Sequence, residues 1–434
     1  MSNQTQLRLL ALGLDGLPFT LAQTLSRKGK LPHLSRLALS PNARPIRAEI
    51  PELSPVNWTS FYTAAGPEEH GVFGFTRIDP VSYGLSFTDS SAVQCPTIFD
   101  RLGERGLISK VINLPNAYPA KPLSGSLIAG FVAPELSRAV YPPSLAEPLR
   151  RAGYVLEADT TRGAKDPEYL LSELEKTLKS RETALNMLWG DMNWNLFVFV
   201  LTETDRLMHF LFPALKRETH PLHNACMDFL RNWDRLIGRI IDRYDALPEP
   251  KRLLALADHG FARLKTEVDV NAWLMREGFL RLRRAPENEL DLSAISPDSK
   301  AFALDPGRIY VHTKERFARG ILSQTQAREV QERIQEGLKH LTFEDEPVMK
   351  RVFTREELYQ GPCLAQAPDL VCLAKPGLDL KAKWNRKEIF GFFGRTGTHT
   401  VDNAFFYDTL GAKPKRIRDV GGLVLDFFGA AKQD

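Results

Sequence analysis

Metal-binding side chains follow several of the buried strands that this 434-residue sequence predicts. Asp15 follows the apolar run 7–14, and Asp258 and His259 follow another apolar strand. Ligands bind at the carboxyl ends of the strands in an open α/β sheet, so these positions suit a binding site. Adjacent Asp and His side chains can bind one ion, and Gly260 lets another backbone segment approach closely. A polar turn or a helix cap is the alternative interpretation of each position alone.

Two further places carry residues of the same kind. Asp205 and His209 follow the apolar run 195–201, and their spacing of one helical turn puts both side chains on one face of a helix. Such pairs also arise by chance on solvated helices. His399 lies in a predicted loop of small residues, 397–400, where a single histidine is more often structural than catalytic.

Taken together, these positions supply six protein ligands. Their donor atoms are carboxylate oxygens and imidazole nitrogens, with no thiolate among them. This mixture fits Zn²⁺, with Mn²⁺ or Fe as alternatives, and argues against Ca²⁺. Six ligands are enough for two ions, and two ions about 4 Å apart can stabilise an in-line displacement at phosphorus.

Ser54 has the position of a possible nucleophile. A strand predicted over 45–50 ends before it, and a helix is predicted to begin with Ser54 as the N-cap and Pro55 as the first helical residue. A hydroxyl there faces the free N–H groups and the positive end of the helix dipole, where phosphate binds readily. A plain helix cap is the alternative interpretation.

The elements around these residues predict an α/β fold. Buried strands alternate with helices, which indicates a mostly parallel central sheet with helices on both faces, a three-layer αβα sandwich. We expect residues 1–261 and 387–434 to form the catalytic core, with an excursion at about 132–165. In residues 262–386, short strands mix with a helix that has a capping box, which predicts an inserted α+β subdomain or lid.

Composition excludes several classes of protein. With 43% hydrophobic and 25% charged residues the chain is an ordinary globular protein, and a net charge of +4 is too weak to indicate nucleic-acid binding. The four cysteines form no CxxC motif, which favours reduced thiols. Residues 1–17 lack the features of a signal peptide, and the longest other apolar run is too short to span a membrane. We therefore expect a cytoplasmic protein with no membrane partner.

The order of the motifs along the chain is more specific than any one of them. The motifs are Leu-Asp15-Gly, Ser54 before Trp58-Thr59-Ser60, Pro67-Glu-Glu-His70-Gly71, Asp205-x-x-x-His209, Asp258-His259-Gly260 and Gly-Thr-His399. This order resembles the alkaline phosphatase superfamily, and most closely its type I phosphodiesterase/nucleotide pyrophosphatase branch. Within that superfamily, it resembles most closely of all a bacterial and archaeal group of predicted phosphohydrolases and phosphomutases. The resemblance extends from residue 8 to about residue 428 and implies an alkaline-phosphatase-like fold.

The resemblance also implies roles for these residues. It assigns Asp205, His209 and His399 to one metal ion, and Asp15, Asp258 and His259 to a second. The second ion would also bind the Ser54 alkoxide, since a metal lowers the pKa of a bound hydroxyl. Ser54 would attack phosphorus and form a phosphoserine intermediate, which water would then hydrolyse.

Three departures from the family pattern bear on the site. The branch usually has Thr where Ser54 stands, and the two hydroxyls are chemically equivalent. Phe75 stands where the branch has an Asn that binds a phosphoryl oxygen. We expect Asn57 to take that role, with Arg77 or backbone N–H groups as alternatives. Pro55 and Trp58 after the serine exclude the formylglycine signature of a sulfatase.

The predicted function is a two-metal phosphoesterase that acts on a small-molecule phosphate ester. A phosphomutase or phosphoryl transferase with the same site is the alternative, in which the insertion would act as a lid that excludes water. A non-enzymatic metal-stabilised binding protein is a third hypothesis, although structural zinc sites are usually rich in cysteine. The sequence leaves open the choice of monoester or diester, the leaving group, the metal and the oligomeric state.

Overall fold

The computed structural model describes residues 6–430, which form two compact units. Residues 6–66, 89–262 and 399–430 belong to the first unit, and residues 67–88 and 263–398 to the second. The strands described are β1 (Arg8–Leu14), β2 (Ala43–Ile46), β3 (Thr76–Ile78), β4 (Leu85–Phe87), β5 (Ser109–Leu114), β6 (Gly125–Ala129), β7 (Val140–Tyr141), β8 (Leu196–Leu201), β9 (Lys251–Leu256), β10 (Gly260–Arg263), β11 (Thr266–Asp269), β12 (Ala301–Leu304), β13 (Arg308–Val311), β14 (Thr342–Phe343), β15 (Glu346–Pro347), β16 (Met349–Thr354), β17 (Leu370–Ala374), β18 (Leu378–Lys381), β19 (Phe390–Gly391), β20 (Gly397–Thr400) and β21 (Ala404–Asp408).

The α-helices of the same residues vary from one turn to six. They are α1 (Phe19–Arg27), α2 (Ser35–Ala38), α3 (Ser54–Thr63), α4 (Pro67–His70), α5 (Ile98–Gly103), α6 (Leu136–Ala139), α7 (Ala146–Arg151), α8 (Pro167–Trp189), α9 (Glu203–Lys216), α10 (His223–Asp245), α11 (Val270–Arg276), α12 (Gln324–Lys339), α13 (Arg355–Leu358) and α14 (Ile417–Phe427). None of the helices described is long and apolar enough to cross a bilayer.

An eight-stranded sheet forms the centre of the first unit, in the order β2-β21-β9-β1-β8-β5-β6-β7. The pairings from β9 to β6 are parallel, and the pairings of β2 with β21, of β21 with β9 and of β6 with β7 are antiparallel. The continuous apolar runs of β1 and β8 are buried throughout, as a parallel sheet covered on both faces requires. This confirms the predicted α/β fold with a mostly parallel central sheet.

The register of the three central strands positions the site. Leu14 of β1 pairs with Leu201 of β8, and Gly13 pairs with Leu256 of β9. The three parallel strands therefore end at nearly the same level. The residues that follow them come out at one edge of the sheet, which is where the metal-binding side chains were expected.

The second unit has its own hydrophobic core. Its largest sheet is four-stranded and antiparallel, in the order β12-β13-β17-β16, and a three-stranded sheet has the order β18-β11-β19. Phe302 and Trp384 are fully buried in this core. Helix α12 begins with the predicted capping box, in which Ser323 and Gln326 bond each other's backbone N–H groups.

Four predicted segments differ from the structure. Residues 67–88 and 387–398, expected in the core, belong to the second unit. The segment 132–165, expected to leave the core, contributes β7 to the edge of the central sheet. The strand expected over 45–50 ends at Ile46, because the N–H of Ala48 donates to Val401 and so leaves the ladder with β21.

A buried ion pair at the far end of β9 provides a test of the fold. Arg252 Nε and Nη2 donate to the two carboxylate oxygens of Asp408 at 3.0 and 2.9 Å. Burial opposes ionisation, but these bonds hold the pKa of Asp408 below its usual range. Asp408→Asn is expected to lower the free energy of unfolding by about 3–5 kcal/mol, because Arg252 is left buried without a counter-charge.

Urea denaturation measures this change, and Glu218→Gln is the control. Glu218 pairs with Lys28 at the surface at 3.0 Å, and removal of its charge should leave the stability nearly unchanged. Equal stabilities for the two variants would show that the buried pair does not stabilise the sheet.

Candidate metal centre and active site

Six metal-binding side chains meet at the carboxyl edge of the central sheet. Their ligand atoms form two groups, and within each group these atoms lie within 4.8 Å of one another. The groups consist of Asp205, His209 and His399, and of Asp15, Asp258 and His259. The structure therefore brings together all six residues in the predicted sets of three.

The first group depends on α9 and β20. Asp205 and His209 lie one turn apart on α9, and Asp205 Oδ1 is 3.5 Å from His209 Nε2. His399 Nε2 is 3.2 Å from Asp205 Oδ1 and 3.0 Å from His209 Nε2. His399 lies in strand β20, so the predicted loop at 397–400 is wrong.

The second group follows β1 and β9. His259 Nε2 lies 3.3 Å from Asp258 Oδ2 and 4.0 Å from Asp15 Oδ1. Asp258 Oδ1 accepts a hydrogen bond from the Gly16 N–H at 3.0 Å, which joins the turn after β1 to the end of β9. A Cβ atom at residue 260 would lie 2.3 Å from Asp402 O, so the close backbone approach predicted for Gly260 is confirmed.

The two groups are adjacent. His259 Nε2 lies 3.8 Å from Asp205 Oδ1. The rings of His259 and His399 stack with centroids 3.6 Å apart. Two cations bound by these groups would therefore be neighbours and could act on one substrate.

The orientation of the imidazole rings suits metal binding. His399 Nδ1 lies 2.8 Å from the carbonyl oxygen of Glu52, and His259 Nδ1 lies 3.1 Å from that of Gly260. A carbonyl oxygen is an acceptor, so each Nδ1 carries a proton and each Nε2 turns a lone pair to the carboxylates. Burial lowers the pKa of both histidines, which favours the neutral ring that binds metals.

The three carboxyl groups compete for ionisation. Burial, reinforced by the charges of Asp258 and Asp205, raises the pKa of Asp15 well above its usual range. Burial also raises the pKa of Asp258 to about 6. Burial opposes ionisation of Asp205 too, but His209 and His399 hold its pKa well below the usual range. Three buried carboxylates so close together need positive charge beyond these groups to be ionised at once.

A bound cation would satisfy this requirement. Asp15 Oδ1 is buried and has no hydrogen-bond donor within residues 6–430, although Trp58 Nε1 donates to the other oxygen at 2.9 Å. Carboxylate and imidazole donors at this spacing suit a tetrahedral or five-coordinate transition metal. The residues present therefore fit the two ions that the motif order implies.

Ser54 lies beside the second group. Its Oγ is 3.3 Å from His259 Nε2, and the side chain is only 4% exposed. The predicted N-cap is wrong, because Leu53 has the extended backbone of a cap and Ser54 is the first residue of α3. No side chain caps this helix, so the Ser54 hydroxyl is directed to the site and does not satisfy the helix end.

Asn57 does not take the predicted role of binding a phosphoryl oxygen. Its Oδ1 accepts from the Glu49 N–H at 2.6 Å, and its Nδ2 donates to the Leu53 carbonyl at 3.0 Å. Asn57 lies on α3, and its side chain is fully buried against the turn that precedes this helix. The alternative, Arg77, belongs to the second unit, where its Nε donates to Ser86 Oγ at 3.1 Å. Asn57 therefore holds the turn that presents Ser54.

Two residues that support the site were not predicted. Trp58 on α3 orients Asp15 through its indole N–H, and a Cβ atom at Gly13 would lie 2.5 Å from the Trp58 ring. Arg206 Nη1 donates to Asp205 Oδ2. Both residues lie within the motifs around Ser54 and Asp205, so their position in these motifs could have indicated that they support the site.

Solved structures that resemble this chain identify its fold. This chain is 15% identical to phosphonoacetate hydrolase from Sinorhizobium meliloti 1021 in complex with phosphonoformate, with a TM-score of 0.66 over 98% of this chain and 95% of that chain. It is 14% identical to the alkaline phosphatase PafA, with a TM-score of 0.61 over 98% and 96% of the two chains. Murine ectonucleotide pyrophosphatase/phosphodiesterase 5 is 13% identical, with a TM-score of 0.56 over 98% and 97%. The fold is that of the alkaline phosphatase superfamily, as predicted.

The family follows from the sequence. The model of the type I phosphodiesterase / nucleotide pyrophosphatase family matches residues 9–402, and the chain belongs to this family. A comparison with curated proteins finds no match. Family and fold together support a phosphoester hydrolase.

Metal ions that bind to the two groups are expected to stabilise the folded chain. Zn²⁺ or Mn²⁺ added to chelator-treated protein should raise the unfolding temperature, because a cation at about 100 times its dissociation constant stabilises the folded state by about 2.7 kcal/mol. Thermal unfolding followed by circular dichroism measures the shift. Asp205→Asn should reduce it, whereas Asp228→Asn, an exposed change on α10, should not. An unchanged unfolding temperature for the unmodified chain would contradict metal binding.

Proposed function

We propose that this protein is a phosphoesterase that uses two divalent metal ions and Ser54 as the nucleophile. The observation that carries the proposal is the position of Ser54 Oγ, 3.3 Å from His259 Nε2, beside two adjacent groups of metal-binding side chains. Membership of the phosphodiesterase family supports the reaction class. The proposed substrate is a small-molecule phosphate ester.

Each group of residues has a distinct part in the proposed reaction. Asp205, His209 and His399 would hold one ion, and Asp15, Asp258 and His259 the other. The ions, when bound, would lower the pKa of a bound hydroxyl or water and stabilise charge on the phosphoryl oxygens. The donors include no thiolate and match those of zinc sites, so we propose Zn²⁺, with Mn²⁺ or Fe as alternatives.

The chemistry of Ser54 then follows in two steps. The Ser54 hydroxyl gives its proton to solvent, its oxygen attacks phosphorus, the bond from phosphorus to the leaving oxygen breaks, that oxygen takes up a proton, and a phosphoserine forms. Water next attacks the phosphoserine, the bond from phosphorus to Ser54 breaks, and the serine takes back a proton. Burial of Ser54 at the start of α3 fixes the direction of attack, because the oxygen lies on a rigid helix and not on a free loop.

Supports for the phosphoryl group come from the chain itself. The helix α3 begins at the nucleophile, and the first-turn N–H groups of a helix favour an anion. The Asn57 side chain is already bonded to the backbone of Glu49 and Leu53, and Phe75 has no donor in its side chain. Backbone N–H groups at the start of α3 are therefore the proposed partners of a phosphoryl oxygen.

Replacement of Ser54 tests the proposal. Ser54→Ala is expected to abolish hydrolysis of nitrophenyl phosphate monoesters and diesters while metal content is retained, and Ser54→Thr should keep activity because it keeps a hydroxyl. Initial rates and elemental analysis of the same preparations provide the measurements. Ser60→Ala, which removes a hydroxyl further along α3, is the matched control and should remain active.

The intermediate provides an independent measurement. Acid quenching during turnover followed by peptide mass spectrometry should find phosphate on Ser54 in the unmodified chain and none in Ser54→Ala. Undiminished hydrolysis by Ser54→Ala would exclude Ser54 as the nucleophile. Hydrolysis that persists after complete removal of metal would exclude the two-metal mechanism.

A further inference from the structure

Arg206 is held between two carboxylates. Its Nη1 donates to Asp205 Oδ2. Its Nε and Nη2 donate to the Oε1 and Oε2 atoms of Glu157 at 3.2 and 3.3 Å. All three guanidinium nitrogens are therefore engaged, and the geometry is the two-pronged pairing that only an arginine side chain offers.

The surroundings of Arg206 fix its position. The guanidinium carbon lies 4.3 Å from the centre of the Phe131 ring, and the side chain is 12% exposed. Because Arg206 and Glu157 are largely removed from water, the hydrogen bonds between them are stronger than those of a surface ion pair.

Glu157 is itself held in place by α8. Arg181, which is fully buried on α8, donates through Nη1 and Nη2 to the carbonyl oxygens of Val155 and Leu156, each at 2.6 Å. These carbonyls immediately precede Glu157. A continuous series of hydrogen bonds thus connects α8, the segment 132–165 and Asp205.

The consequence for Asp205 concerns its two oxygens. Oδ2 is occupied by Arg206, and Oδ1 faces His399 Nε2 at 3.2 Å and His259 Nε2 at 3.8 Å. The arginine therefore determines which oxygen is presented to the metal-binding groups. Rotation of the carboxylate would break the bond to Arg206.

We infer that Arg206, oriented by Glu157, is a positioning residue that holds Asp205 as a one-oxygen ligand of its metal ion. This inference rests on the proposed two-metal function. Arg206 is not assigned contact with substrate, since its nitrogens are bonded to the two carboxylates. The segment 132–165 accordingly supplies a part of the metal centre through Glu157.

The charge of Arg206 and its hydrogen bond to Asp205 lead to opposite expectations for the metal affinity of a variant that lacks this arginine. Loss of a positive charge beside the site would by itself strengthen cation binding. Loss of the bond to Oδ2 frees the Asp205 carboxylate and should weaken binding, and removal of such supports typically costs about 10–100-fold in metal affinity. The sign of the change therefore separates a positioning role from a general electrostatic one.

Calorimetric titration of the chelator-treated full chain with Co²⁺ tests the inference. The unmodified chain should bind two ions. Arg206→Gln should bind one of them at least about tenfold more weakly and the other with little change. Arg206→Lys should resemble Arg206→Gln, because an ammonium group cannot bond both Glu157 oxygens and Asp205 together. The visible absorption of bound Co²⁺, which reports coordination geometry, should change in both variants.

A double-mutant comparison tests the part of Glu157. Glu157→Gln should weaken the same Co²⁺ site, and combining it with Arg206→Gln should add little, because Glu157 acts through Arg206. Arg162→Gln is the matched control. This arginine also stacks on an aromatic ring, 4.4 Å from the centre of Tyr169, and pairs with Asp166, but it has no contact with the metal-binding groups. The Arg162→Gln variant should bind both Co²⁺ ions with the affinity of the unmodified chain.

The possible outcomes are distinct. Unchanged or tighter Co²⁺ binding by folded Arg206→Gln, with an unchanged spectrum, would overturn the positioning role and leave the proposed function intact. Absence of Co²⁺ binding by the unmodified chain would instead overturn the two-metal function. If Arg206→Gln does not fold, Arg206→Lys and Glu157→Gln decide, and normal affinity and spectrum in both would overturn the inference.

Discussion

Three buried carboxylates lie close together in this structure, and the arrangement of the site depends on how their charge is compensated. Asp15, Asp205 and Asp258 are almost completely removed from water, and this burial, reinforced by their mutual repulsion, raises the pKa of Asp15 and Asp258. A folded chain tolerates such a cluster only where positive charge compensates it. Arg206 supplies part of this charge next to Asp205, and His209 and His399 also lower the pKa of that carboxyl group. Metal ions are the natural complement of the rest.

The central sheet makes this cluster possible. Parallel strands β1, β8 and β9 end at one level, so residues distant in the sequence are brought together without any local signal between them. The strands are buried on both faces, and this rigid surrounding can hold repelling groups that a loop would let separate. Trp58 packs against Gly13 and donates to Asp15, so helix α3 also helps to position a residue of the candidate metal site.

Much of this was predictable because it depends on local patterns. Apolar runs of strand length, Asp or His directly after them and a one-turn spacing in α9 were sufficient for the fold class and for most of the candidate ligands. The division into two groups of three came from the family resemblance that the order of the motifs carries. The details that failed depend on tertiary contacts. The hydrogen bonds of Asn57 to Glu49 and Leu53, and that of Arg206 to Glu157, join backbone and side chains whose proximity no spacing rule describes. The domain boundary at residues 67–88 failed for the same reason, since packing and not composition assigns that segment to the second unit.

The turn before Ser54 is held by Asn57, for which we had predicted a different role, the binding of a phosphoryl oxygen. Asn57 connects the backbone of that turn to α3, and Glu49 in the turn accepts two hydrogen bonds from Arg418 at 2.8 and 2.6 Å. The Glu52 carbonyl in the same turn fixes the ring of His399. One short segment therefore contacts both Ser54 and His399, a member of the first group of candidate ligands. The bonds of Asn57 hold the two ends of this turn, and the Glu52 carbonyl within it holds His399, so the conformation of the turn contributes to the distance between Ser54 and His399.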